Sequence, residues 1–135
     1  DRYGLPWAAT GNGPIYQSGE YWWGVQEDPN YLINTEINDI CIDEFNNKYY
    51  GTNSRGLIIS IGDTLDWFYF NEDNSPLLSN CIHKIKIHPE DRTIWICTDK
   101  GINVIRDPLL VPKNNQSSVL VYPNPFLLNK NLHSK

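Results

Sequence analysis

The sequence predicts an all-β chain made of repeated units of four short strands. Three observations lead there. First, one motif is written three times: Trp7-Ala8-Ala9-Thr10, Tyr49-Tyr50-Gly51-Thr52 and Trp95-Ile96-Cys97-Thr98. Each copy is an aromatic, two small or apolar residues and a Thr, followed after a short polar gap by Gly13, Gly56 or Gly101. Second, the aromatics recur after 42 residues (7 to 49) and 46 residues (49 to 95). A period of that length is the mark of a repeat architecture. Third, the segments around the motifs alternate apolar and polar residues with period two, and turn formers separate them.

The second and third copies can be laid over each other. Ile37-x-x-Ile40-x-Ile42-Asp43 matches Ile82-x-x-Ile85-x-Ile87-His88 at an offset of 45, and Gly56-Leu57 matches Gly101-Ile102 at the same offset. Ile40-Cys41-Ile42 and Ile85-Lys86-Ile87 read as half-buried first strands. Asn46-Asn47 and Glu90-Asp91 form the turns that follow. Tyr49-Tyr50 and Ile94-Trp95-Ile96 are second strands, rich in aromatic and β-branched residues. Gly56 and Gly101 mark the next turns. Leu57-Ile58-Ile59-Ser60-Ile61 and Ile102-Asn103-Val104-Ile105 are third strands. Trp67-Phe68-Tyr69-Phe70 is a fourth strand, with Tyr21-Trp22-Trp23 as its counterpart in the first copy. Strands are therefore expected near 37–43, 48–53, 57–62 and 66–71, in one antiparallel sheet. Four strands in about 45 residues is the pattern of a β-propeller blade. The expected fold is a partial β-propeller of one complete four-stranded blade and two partial blades. Trp7, Tyr49 and Trp95 are expected to be packing residues and not catalytic or ligand-stacking groups, with Tyr49 and Trp95 largely buried and Trp7 less so, because a repeated position does a repeated structural job.

The repeat resembles the two-component regulator propeller repeat, which reads roughly N-x-I-x-x-I-x-x-D, a Gly turn, W-I-G-T, and a second Gly with Leu. Asn80-Cys81-Ile82-His83-Lys84-Ile85 and Trp95 to Thr98 with Gly101-Ile102 carry the likeness, as do Ile37 to Asp43, Tyr49 to Thr52 and Gly56-Leu57. Tyr49 replaces Trp, Cys97 and Ala9 replace Gly, and His88 replaces Asp. The resemblance covers about residues 5–107. A second resemblance lies near the end. Ser118-Val119-Leu120-Val121-Tyr122-Pro123-Asn124-Pro125-Phe126 is similar to the opening strand of the C-terminal sorting domain of type IX secretion, a small β-sandwich found in Bacteroidetes and related bacteria. Residues 1–110 are thus expected to be propeller blades, 111–117 (Val111 to Ser117) a linker, and 118–135 the start of the sorting domain. The chain is expected to be part of a longer protein.

Composition narrows the function. A net charge of −5 argues against a nucleic-acid partner, which favours a basic face. No run of 18 apolar residues is present to span a membrane as a helix. Cys41, Cys81 and Cys97 are expected as three free thiols in or beside strands. Cys81, His83 and His88 fall short of a zinc set, since only Cys81 and His83 share a strand face. No G-x-S-x-G or H-E-x-x-H motif occurs. Asp43-Glu44 and Glu90-Asp91 are expected to cap turns, and Asn71-Glu72-Asp73-Asn74-Ser75 lacks the Gly and terminal Glu of a calcium loop. Asp63-Thr64-Leu65 resembles the acceptor for O-glycosylation used by Bacteroidetes on exported proteins. No catalytic, cofactor or metal residue is assigned, and the ligand-binding residues stay open. The resemblances imply a non-catalytic exported or cell-surface protein that meets the type IX machinery through its C-terminal segment, with a glycan or surface protein as ligand. Two alternatives are a periplasmic sensor propeller of a hybrid histidine kinase sensing glycans, and a propeller module of a secreted hydrolase.

Overall fold

The computed structural model describes residues 1–25, 32–63, 66–106 and the backbone of 122–123. All its regular elements are strands, and no helix occurs among the described residues. The first sheet holds β1 (Trp7–Ala8), β2 (Ile15–Ser18) and β3 (Tyr21–Gly24). The second holds β4 (Ile37–Ile42), β5 (Lys48–Thr52), β6 (Leu57–Ser60) and β7 (Trp67–Phe70). The third holds β8 (Ile82–Ile87), β9 (Thr93–Thr98) and β10 (Gly101–Arg106), with β11 (Tyr122–Pro123) on its edge. Each sheet is an open antiparallel meander in which chain neighbours pair. The four strands of the second sheet lie where the sequence places them, one or two residues shorter at their ends. The linker 111–117 and most of 118–135 lie outside the described residues, as do Thr64 and Leu65 of the acceptor-like triplet. Tyr122 pairs with Val104 and Pro123 with Asn103, so this pair occupies the slot that β7 fills in the second sheet.

The repeated Thr and Gly form one local device. The Thr52 hydroxyl donates to the Gly56 carbonyl at 2.8 Å and accepts the Arg55 amide at 2.8 Å. Thr10 donates to Gly13 O at 2.6 Å and accepts from Asn12 N. Thr98 donates to Gly101 O at 2.9 Å and accepts from Lys100 N. A short hydroxyl can reach both partners only where the chain doubles back within about four residues, which explains the spacing. Thr52 is fully buried. Thr52→Val keeps the shape but removes the hydroxyl that accepts the Arg55 amide and one of two bonds on the Gly56 carbonyl, which keeps the Thr52 N–H at 3.2 Å, so it should cost about 1–3 kcal/mol. Chemical denaturation of the variant checks this; an unchanged midpoint would refute the device.

The sheets stack in order. Residues directly paired across strands share a face, so Cys41, Tyr49 and Ile59 form one rung and Ile40, Tyr50 and Ile58 the opposite one. Tyr50 and Ile58 face the first sheet, in a cluster with Val25, Leu32 and Ile37 against which Trp7, Tyr16 and Trp67 pack. Tyr49, Leu57 and Ile59 face the third sheet, against Ile82, Ile85, Ile94 and Ile96. Gly51 lies on this second face: a Cβ there would stand 2.7 Å from Ile82 Cγ2, so the small residue lets the inner strand of the third sheet approach.

Trp95 departs from the expectation. Tyr49 is fully buried, but Trp95 is 45% exposed. The two hold equivalent places, since Tyr49 pairs with Cys41 and Trp95 with Lys86 on matching strands. Each points towards the sheet that follows. Tyr49 is covered by the third sheet, whereas no described sheet follows the third. Trp7 points the same way from the first sheet and sits 6.5 Å from Tyr50, partly buried.

Candidate functional site

The turns at one end of the second sheet frame a cavity of about 210 Å³ between the first and second sheets. Its walls are aromatic. Trp7 stacks on Tyr16 at 5.1 Å, and Tyr50 stacks on Trp67 at 6.0 Å. Lys48 starts β5 and is buried; its ammonium donates to Asn46 O at 3.0 Å and Gly62 O at 3.4 Å and lies 5.2 Å over the Trp7 ring. These carbonyls and the ring stabilise a cation that burial alone would disfavour. Trp67 Nε1 is buried without a hydrogen-bond partner among the described residues. Buried donors normally have one, so this indole can serve an acceptor brought from outside.

Two carboxylates shape the mouth. Asp63 accepts from Tyr3 OH at 2.6 Å and Asn46 Nδ2 at 2.7 Å and pairs with Arg2. The Tyr3 hydroxyl is the main reason its carboxyl titrates below the ordinary value. Asp1 accepts from Trp7 Nε1 at 3.0 Å and Leu5 N at 2.9 Å, which fixes the Trp7 ring. Flat apolar faces, donors and acceptors meet in one cleft. That combination has the chemistry to receive a ligand with flat apolar faces and polar edges; no Cys or His is among the lining residues.

A second cleft, of about 270 Å³ between the second and third sheets, is lined by charge. Asp43 accepts Phe45 N at 2.9 Å and Asn47 N at 2.8 Å, capping its turn as the sequence suggests. It also takes the Arg92 guanidinium at 2.9 Å, with the Asp43 side chain only 3% exposed. Glu44 adds a contact at 3.3 Å, and Arg92 lies 4.3 Å over the Phe45 ring. Burial pushes the Cys41 thiol up, away from the thiolate form. Cys41, Cys81 and Cys97 are free thiols. Cys81 Sγ lies 3.5 Å from Asn53 Oδ1, and His88 Nδ1 accepts from the amides of Glu90 and Asp91 at 3.4 Å. Cys81 and His88 thus serve different turns. No group of three His, Cys, Asp or Glu residues able to hold a metal occurs among the described residues. Asn71 Oδ1 accepts from the amides of Asp73 and Asn74, so the acidic loop organises itself. No helix among the described residues is long and apolar enough to cross a membrane.

Sequence reasoning did not find Lys48, Asp63 and Trp67 as one site. The signal was a lysine heading an otherwise aromatic and apolar strand, but the convergence of three turns on it is not local information.

Several exposed carboxyls are held low. Asp63 owes this first to Tyr3, Glu72 to its bond with Lys100, and Asp91 to the Thr93 amide. A carboxyl lowered in the folded state adds stability above its ordinary value and loses it as pH falls through the folded one. The ordinary values are 3.8 for Asp and 4.5 for Glu. The melting temperature should therefore be flat near neutrality and fall below about pH 4, less steeply at high salt. A melting temperature that rose on acidification would contradict these pairings.

Comparison with family models finds no match, and no curated protein matches. Among solved structures the chain is similar to PorZ of Porphyromonas gingivalis, described as an essential bacterial surface component of the type-IX secretion system. Identity is 25% and the TM-score 0.68, over 78% of this chain. The chain spans 16% of the length of that protein, and what the likeness establishes is a shared run of antiparallel sheets.

Proposed function

We propose that the chain is a run of β-propeller blades from a non-catalytic protein exported to the surface of a Gram-negative bacterium by a type IX route. The observation that carries this is the ordered stack: three sheets of one repeat, the first two laying their aromatic-motif faces on the sheet that follows, in a backbone similar to that of a type-IX surface component. In this reading residues 1–110 are blades, 111–117 a linker, and 118–135 the start of a sorting domain, whose Val121-Tyr122-Pro123-Asn124-Pro125 engages the secretion machinery. The cleft around Lys48, Trp7, Tyr50 and Trp67 is the binding site, because loops and clefts at the rims of stacked sheets are where such folds meet ligands.

The test is topological. The longer protein, expressed in a type IX-competent bacterium, should be cut by protease added to intact cells. Deleting residues 118–135 together with anything that follows should trap it in the periplasm. A protein protected in intact cells would overturn the surface reading, and one still exported after the deletion would overturn the sorting assignment.

A further inference from the structure

One rung in the cleft between the first and second sheets breaks the pattern of the repeat. Lys48 pairs with Ser60, and Ser60 with Trp67. Residues paired across strands share a face, so these three side chains stand in a row towards the first sheet, next to the rung of Tyr50 and Ile58. The same rung of the third sheet is Ile94 paired with Ile105, and both pack into the core against the second sheet. Where the third sheet places two isoleucines, the second places an ammonium and a hydroxyl. Lys48 is 7% exposed and Ser60 5%. Burial of such groups costs stability unless they find partners, and departures of this kind gather at functional sites.

The row also holds donors that the chain leaves unused. Trp67 Nε1 is buried without a hydrogen-bond partner among the described residues, whereas Trp7 Nε1 donates to Asp1 at 3.0 Å. No described residue bonds the Ser60 hydroxyl. The acceptors at the mouth are already engaged. Asp63 takes Tyr3 OH, Asn46 Nδ2 and Arg2, and Asp1 takes Trp7 Nε1 and the amides of Tyr3 and Leu5. A ligand rich in hydroxyl donors, such as a neutral sugar, finds few acceptors here. A ligand that brings acceptors satisfies the two idle donors, and the Lys48 ammonium in the same row favours an acceptor with negative charge. The stacked pairs Trp7–Tyr16 and Tyr50–Trp67 suit a flat ring. A cavity of about 210 Å³ suits a single ring, and both of its walls belong to sheets of this chain.

We infer that the cleft takes an arylmethyl carboxylate, its ring against the aromatic walls and its carboxylate on the row of Lys48, Ser60 and Trp67. The inference rests on this cleft being the binding site. A free aryl acid and the aromatic last residue of a peptide carry the same group.

The test titrates the whole 135-residue chain and follows the Trp67 indole N–H by NMR, assigned through Trp67→Phe. The probes are phenylacetate, phenylethanol, the tripeptide Gly-Gly-Phe, its C-terminal amide, glucuronate and methyl glucoside. Phenylacetate or the free tripeptide should shift the signal. A shift with phenylacetate alone assigns the site to a free acid, and a shift with the tripeptide but not its amide assigns it to a chain end. Phenylethanol should bind about tenfold more weakly than phenylacetate, because it lacks the charged acceptor. Lys48→Met should weaken phenylacetate by about tenfold or more, and Ser60→Ala, which removes a single oxygen and keeps the circular dichroism, by about threefold or more. Equal binding of phenylethanol, or indifference to Ser60→Ala, would overturn the inference. A shift with glucuronate or methyl glucoside and none with either aryl carboxylate would overturn it too, and would leave the cleft standing as a site for another ligand class. Silence of the Trp67 signal with every probe would overturn the inference and count against the cleft itself.

Discussion

Gly56→Ala is expected to abolish or nearly abolish folding of the second sheet. Gly56 closes the turn between β5 and β6 with φ of +78°, a conformation that L side chains rarely adopt. That strain alone is on the order of 1–2 kcal/mol. Lack of space is the more severe obstacle. A Cβ here would be driven into the carbonyl oxygen of Phe70, which is backbone and has no rotamer by which to retreat. Gly56 also accepts from Thr52 and donates its N–H to Asn80 O at 2.9 Å, so a shift of the turn breaks contacts on both sides. The total should reach about 3–5 kcal/mol, a large part of the stability of a domain this size. Gly19→Ala is the control. Its φ is +64°, but a Cβ there would meet nothing within 4 Å, so only the backbone strain applies. Thermal unfolding of the two variants separates the effects. Equal losses would mean that the contact with Phe70 is irrelevant.

The second large effect is an asymmetry between equivalent aromatics. Tyr49→Ala should cost about 3–5 kcal/mol, as removal of a fully buried ring does when the cavity cannot collapse. Its neighbours Leu57, Ile59, Ile82 and Ile94 belong to two different sheets, so the loss loosens the joint between them. Trp95→Ala in the same chain should cost about 1 kcal/mol or less, since nearly half of Trp95 already faces solvent. Urea titrations of the two variants in parallel decide it. A Trp95→Ala penalty as large as that of Tyr49→Ala would show that exposure in the chain alone misstates what Trp95 touches. If a partner covers the third sheet, the penalty at Trp95 should grow when that partner is present, because only then is the ring's area taken from water.

Much of the fold was legible because its determinants are local. Ile37 to Phe70 read as four strands from alternation and turn residues, and those are the strands found. The Thr–Gly spacing was visible as a pattern, although its cause, a hydroxyl bridging the turn, needed coordinates. Asp43 was expected at a turn and caps one, but its pairing with Arg92, 49 residues away in the chain, was not legible. Nothing in the alternation around Lys48 announced that its ammonium would be taken up by two carbonyls and the face of Trp7.

The sequence by itself determined the four strands of the second sheet, their order, and the recurrence of the unit; Ile15–Ser18 as a strand and the pairing of Tyr122–Pro123 with β10 came only from the structure. Period-two alternation, turn chemistry and short connections act within a few residues, and antiparallel neighbours need nothing more. Tertiary structure alone decided which face of each strand was covered. Alternation says that Tyr49 and Tyr50 point to opposite sides, and that Trp95 and Ile96 do too. It does not say that, among the described residues, a sheet stands on both sides of the first pair and on one side of the second. Burial, the aromatic cleft between the first two sheets and the charge crossing from Arg92 to Asp43 all depend on which sheet is the neighbour. Desolvation is a property of the pair of surfaces, and one strand carries only half of it.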